Sequence, residues 1–295
     1  MKKCIVCHTG VSEWGEGVIK DNKVYIKGKD DELYFPEEMF LAREECEGGL
    51  IQFEVEGKWG FANIYTGEML IKPVWDYAGP FYSGYAHVAL EIDMEFNGHT
   101  YIEISGGKHG YIDIHGNVII PLEYDSAMDI PVKKCFQVSK NGKWGLIDNQ
   151  NKTIIPLQWD NLETSCFGEL IFCGREESCE LFVGQEDRLL AAILKIEPQP
   201  TCTNTIKWGV YDQNFNLIVQ PELDEKPINP VIKSNRRSKY CVYYHKHFAL
   251  KKGNKFGILC NDGRLIANIE LSKKQAVDMI NEVSGRGKRD LYLRR

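Results

Sequence analysis

No stretch of this 295-residue chain is apolar for long enough to cross a membrane as a helix. The start, Met1-Lys2-Lys3-Cys4-Ile5-Val6-Cys7-His8, is basic but lacks the apolar run of a secretory signal, so none is expected. Equally missing are the short motifs that mark common chemistries. There is no Walker loop, no dinucleotide-binding glycine fingerprint, no G-x-S-x-G elbow and no H-E-x-x-H pair. Neither an enzyme nor a bound cofactor is expected from such a chain. Ten cysteines without an export signal read as reduced, mostly structural thiols of a cytoplasmic protein. With 43% hydrophobic and 26% charged residues, the composition suits a globular protein with a large core.

What the chain does contain is repetition. Lys58-Trp59-Gly60, Lys143-Trp144-Gly145 and Lys207-Trp208-Gly209 are identical, and Lys108-His109-Gly110 and Lys255-Phe256-Gly257 replace only the indole. An acid or amide follows each tripeptide three residues after its glycine: Asn63, Asp113, Asp148 and Asp212, with Asn261 one residue later in the fifth copy. A turn comes next, then an apolar pair leading to Pro73, Pro121, Pro156 or Pro221; the fifth copy, Leu265-Ile266, has no proline. Three copies close on Trp75-Asp76, Tyr124-Asp125 and Trp159-Asp160, and the fourth keeps only the acid of Leu223-Asp224. The intervening runs are short and rich in Ile, Val, Tyr and Trp, which is strand chemistry. Turn signals such as Glu56-Gly57 and Asn141-Gly142 precede the tripeptide. Each unit therefore reads as a three-stranded antiparallel meander, with proline marking the edge or exit of its last strand. The Trp-Gly pairs Trp59-Gly60, Trp144-Gly145 and Trp208-Gly209 are assigned to structure: indole for burial, glycine for close approach. The acid before the turn is expected to bond the turn backbone.

This pattern resembles the WG-repeat family, tandem β-rich repeats found mostly in bacterial proteins, over about residues 50–270. The resemblance implies an all-β repeat scaffold used for interaction, and it transfers no catalytic residue. A lone meander cannot bury its apolar face, so the units must stack, here as an open superhelical array or alternatively as a propeller-like ring. Residues 1–49 are expected to form a degenerate repeat or cap, with a hairpin at Asp21-Asn22 and a helical stretch from Pro36 to Cys46. Residues 271–295 are expected to hold a helix opened by the capping box Ser272-Lys273-Lys274-Gln275, followed by a basic tail. Extra length enters between a closing aspartate and the next tripeptide, at about Ala89–Gly107, Asn161–Ile206 and Glu225–Lys252. These segments either form a binding side or merely lengthen hairpins.

Among candidate sites, Trp75, Tyr124 and Trp159 would form an aromatic binding face for a protein or a glycan if exposed, and core if buried. Cys4-Ile5-Val6-Cys7-His8 matches C-x-x-C-H, yet the stretch also reads as a strand, and no metal is assigned. His87, His99, His109 and His115 lie close in sequence, but His109 fills the tryptophan slot and is expected to be packed. His245 and His247 alternate like strand residues on one face. Charge is uneven: from Lys226 onward there are 17 basic and 5 acidic side chains, against 19 and 37 before it. An unknown protein partner is the leading expectation. Nucleic acid bound by the basic C-terminal third is the alternative.

Overall fold

Tight turns set the strands. Asp21 and Asn22, Glu56 and Gly57, and Asn141 and Gly142 are pairs with positive φ at both positions, the geometry that matches the twist of a hairpin. The computed structural model describes residues 2–7, 14–27, 33–34, 49–96, 101–128, 134–165, 170–182, 201–227, 231–232, 247–283 and 291–292. The helical stretch expected at Pro36–Cys46 lies outside them, as do His8, His99 and His245. The described chain is all-β apart from one C-terminal helix, and it divides into two compact units, Met1–Gln158 and Trp159–Arg295.

In the first unit, strands β1 (Lys2–Cys7), β2 (Trp14–Lys20), β3 (Lys23–Lys27) and β4 (Leu33–Tyr34) share one sheet with the first repeat, β5 (Leu50–Val55), β6 (Lys58–Asn63) and β7 (Met69–Trp75). The N-terminal segment is thus joined to that repeat edge to edge, through β1 and β5. The sheet curls into half a barrel. Lys23 bridges to Glu68, and the Val24 N–H donates to the Gly67 carbonyl at 2.7 Å. Cys4, Val6, Val24, Ile26, Ile51, Phe53 and Val55 fill the concave side. The second repeat is β8 (Tyr77–Ala78), β9 (Tyr85–Phe96), β10 (Tyr101–Asp113) and β11 (Val118–Tyr124). The third is β12 (Ser126–Ala127), β13 (Phe136–Lys140), β14 (Lys143–Ile147) and β15 (Thr153–Trp159), whose last residue opens the second unit.

The second unit repeats the plan. Strands β16 (Asn161–Thr164), β17 (Ile171–Phe182), β18 (Thr201–Tyr211) and β19 (Leu217–Leu223) form a four-stranded sheet. After β20 (Val231–Ile232) come β21 (His247–Lys252), β22 (Lys255–Cys260) and β23 (Leu265–Leu271), then α1 (Lys273–Val283) and β24 (Leu291–Tyr292), which pairs with β20. The capping box at the start of α1 is formed: Ser272 N–H donates to Gln275 Oε1 at 2.9 Å. Ala276 and Ile280 then cover Ala249, Phe256 and Ile258 of the fifth repeat.

Third strands share one irregularity. Trp59 pairs Trp75 but Phe61 pairs Ile71, so four residues of β7 oppose two of β6. The same shift separates His109↔Tyr124 from Tyr111↔Ile120, Trp208↔Leu223 from Val210↔Val219, and Phe256↔Leu271 from Ile258↔Ala267. The tripeptide glycine faces this bulge. A Cβ would stand 2.6 Å from the Ile71 carbonyl oxygen at Gly60, 2.6 Å from that of Ile155 at Gly145, and 2.7 Å from that of Val219 at Gly209. Proline sits inside the bulged strand rather than ending it, and each strand runs on to its closing aromatic or leucine. β23 bulges without any proline, so glycine is the common requirement.

Candidate interaction surface

Most side chains that define the repeat pack within it: Trp59, His109 and Phe256 are buried at the tripeptide's aromatic position, and Trp144 and Trp208 are half-buried. Apolar clusters form between successive repeats: Leu50, Trp59, Phe61, Ile71 and Trp75 meet Ala78, Phe81, Ala86 and Val88. Tyr111, Ile120 and Tyr124 meet Ala127, Phe136 and Val138 in the same way, and Phe172, Val210 and Leu223 meet Phe248 and Leu250. Trp75, Tyr124 and Trp159 are 8%, 5% and 1% exposed. They are core residues and offer no aromatic face, which corrects their placement as a binding surface. Trp75 and Tyr124 each close a strand at the junction with the next repeat, where burying the ring joins two sheets of the first unit. Trp159 packs edge-on against Tyr211, with the Arg175 guanidinium 4.9 Å above its ring.

The acid after the tripeptide steadies the following turn, as its position suggests. Asn63 Oδ1 accepts the N–H groups of Tyr65 and Thr66 at 2.9 and 3.0 Å. Asp148 Oδ1 accepts those of Gln150 and Lys152, and Asp212 Oδ1 those of Asn214 and Asn216. Partial burial would raise the Asp113 carboxyl, but bonds from Asn117 and from the His115 N–H hold it below the ordinary value. In the fifth copy Asp262 does this work instead of Asn261, accepting the Arg264 N–H at 3.0 Å.

Sequence reasoning missed a second set of contacts. The tripeptide lysine reaches the aspartate that closes its own repeat: Lys58 meets Asp76, Lys108 lies 3.7 Å from Asp125, and Lys207 lies 2.6 Å from Asp224. The other oxygen of that aspartate accepts a backbone N–H from the next repeat. Asp76 Oδ2 takes Glu91 at 2.8 Å, Asp125 Oδ2 takes Asn141 at 2.5 Å, Asp160 Oδ2 takes Glu176 at 2.9 Å, and Asp224 Oδ2 takes Gly253. These four N–H donors occupy one place in the repeat, the residue that follows Leu90, Lys140, Arg175 or Lys252, each paired with the tripeptide lysine. The constant spacing of 17 or 18 residues between lysine and aspartate was the available signal. Ammonium and turn amide together keep the Asp224 carboxyl below its usual value.

Beyond this clasp lie the extra segments. Ala89–Gly107 lengthens the β9–β10 hairpin, whose pairing continues to Tyr101↔Phe96. Asn161–Ile206 supplies β16 and lengthens β17–β18 to Phe182↔Thr201. By contrast β13–β14 stops at Lys140↔Lys143. About five residues of each long strand project past the clasp, a two-stranded ribbon of roughly 17 Å. The first ribbon holds Glu91, Asp93, Glu95 and Glu103 and no lysine or arginine from Leu90 to Gly107.

The remaining candidates resolve differently. Cys4 is buried within the curled sheet, and burial pushes its thiol up to about 12, a poor state for metal binding. Cys7 belongs to β1, opposite Trp14 and Gln52. His109 is buried in the tryptophan slot, with its Nδ1 2.9 Å from His87 Nε2, while His115 sits in an exposed turn. His247 opens β21 opposite Cys260. No group of three or more His, Cys, Asp or Glu side chains that could hold a metal is found among the described residues. A cavity of about 540 Å³ lies over the convex side of β1–β5, where Lys3, Glu16, Lys27 and Glu54 alternate with Ile5 and Val18. No described helix is long and apolar enough to cross a membrane.

A comparison with curated proteins finds no similar sequence. Among solved structures, a chain described as "Crystal structure of the eukaryotic initiation factor" aligns over 92% of this chain and 85% of its own, at 9% identity and a TM-score of 0.35. That likeness is too distant to carry an argument. A family model described as WG containing repeat matches residues 59–90, 110–144, 144–164 and 208–229. Those matches fall on repeats whose glycine bulge, turn acid and lysine–aspartate clasp are described above, and the chain belongs to the WG-repeat family.

Proposed function

We propose that this chain is a non-enzymatic, cytoplasmic scaffold of bacterial type that binds a protein through its projecting hairpin ribbons. The observation that carries this reading is the division of labour within the repeat. The signature residues fill the core, the bulge, the turn and the clasp, whereas β9–β10 and β17–β18 extend beyond the clasp. A two-stranded ribbon alone is marginal in water, so a partner surface completes it. Glu91, Asp93 and Glu95, alternating with Ile92, Met94 and Phe96, and Glu103 between Ile102 and Ile104 suit a basic, partly apolar protein surface.

The test is affinity purification from the native cell with each ribbon shortened, by replacing 93–105 or 178–205 with a two-residue turn. Loss of the captured partner with an unchanged circular dichroism spectrum is expected. Full retention with both ribbons shortened overturns the reading. Nucleic-acid binding is separated by a gel shift at low salt with a chain ending at Gly285. That end point retains α1, whose removal would uncover Ala249, Phe256 and Ile258. A shift that depends on the removed basic tail would favour nucleic acid.

A further inference from the structure

The third strands β7, β11, β15, β19 and β23 each stand last in their sheet. An edge strand offers unpaired N–H and C=O groups to any extended chain, and proline is one means of blunting it. Four edges carry proline one or two residues after the aliphatic side chain that the bulge turns inward. Pro121 and Pro156 follow Ile120 and Ile155 directly, while Pro73 and Pro221 stand two beyond Ile71 and Val219. In β23 the corresponding Ala267 is followed by Asn268 and Ile269. Among the described residues β23 pairs only with β22, and no residue along it is fully buried. α1 backs the same sheet and holds it in place.

We propose that β23 is an interaction edge and that its occupant is β23 of a second copy of this chain. An antiparallel pair centred on Ala267 sets Arg264 opposite the partner's Glu270, and the symmetry repeats that match at the other end. Leu265 then lies opposite the partner's Ile269, and Ile266 opposite the partner's Asn268. Moving the register one step leaves Arg264 facing the partner's Ser272. Moving it the other way sets Glu270 against the partner's Asp262, like charge to like. Only the Ala267-centred register sets unlike charges opposite one another at both ends, with Arg264 also bonded to Asp262 of its own turn, so the edge is complementary to itself. This inference goes beyond the scaffold reading and does not depend on it.

The experiment is sedimentation velocity of the full chain over a range of micromolar concentrations at low salt. Wild type is expected at twice the monomer mass. Asn268→Pro is expected to be monomeric with an unchanged thermal midpoint, because Asn268 is exposed and sister strands already carry proline there. Arg264→Glu is expected to weaken association about tenfold, and adding Glu270→Arg to restore it. A wild type that stays monomeric, or a dimer that Asn268→Pro leaves intact, overturns the proposal. Should Asn268→Pro fail to fold, the charge pair decides: association lost in Arg264→Glu and not recovered in the double variant also overturns it.

Discussion

A single missing Cβ shapes every repeat. Gly145 has the Ile155 carbonyl oxygen and the Leu157 side chain where a methyl group would go, and it is buried between strands. Gly145→Ala must push backbone apart and should cost about 3 kcal/mol in urea unfolding, near the top of the range for overpacking. Gly142 is the contrast. It has positive φ and open space around it, so Gly142→Ala should cost only about 1 kcal/mol, through backbone strain alone. The tripeptide glycine was legible in the sequence as a close-approach position. What it approaches was not, because the bulge arises from pairing with a strand about ten residues away. Trp75, Tyr124 and Trp159 show the same limit from the other side. Their periodic recurrence is visible in the sequence, but a ring at the end of a strand is buried or exposed according to what the next repeat lays over it.

At the scale of the element, hairpins and turns were readable from Asn-Gly, Asp-Asn and the acids before the turns, since those signals act within four residues. The lysine–aspartate clasp was not, although its spacing was constant, because it joins side chains through a fold. Asp76→Ala removes both the Lys58 contact and the acceptor for Glu91 N–H, and should destabilise the first unit by about 1–2 kcal/mol in urea unfolding. The pH dependence follows from the depressed carboxyls. Lys207 and the Gly253 amide lower Asp224, Asn151 and Lys140 lower Glu123, and Arg264 lowers Asp262. A carboxyl held low in the folded state stabilises above its unfolded value of about 4 and loses that contribution as pH falls through the folded value. Thermal midpoints should therefore drop from about pH 4 downward, and Asp224→Asn should flatten part of that slope. Interval counting placed extra length in Ala89–Gly107 and Asn161–Ile206, and in both the described residues lengthen a hairpin.

At the scale of the whole molecule, two thiols report on the two compact units separately. Cys4 lies in Met1–Gln158 and Cys173 in Trp159–Arg295, and burial pushes both up to about 12. Both should resist alkylation at pH 8 in native protein, and each should label only as its own unit opens. Pulsed labelling across a urea series, read by peptide mass, should show Gly60→Ala lowering the midpoint at Cys4 and Gly209→Ala lowering that at Cys173. The clasp has a further consequence at this scale. Each closing aspartate grips the following hairpin at one level, which is the turn itself at Asn141 and Gly253 and lies within the longer strands at Glu91 and Glu176. Residues added beyond that level, as in β9–β10 and β17–β18, lie outside the joint between neighbours. Grafting a foreign hairpin beyond Glu91 should therefore leave the packing of the first unit intact.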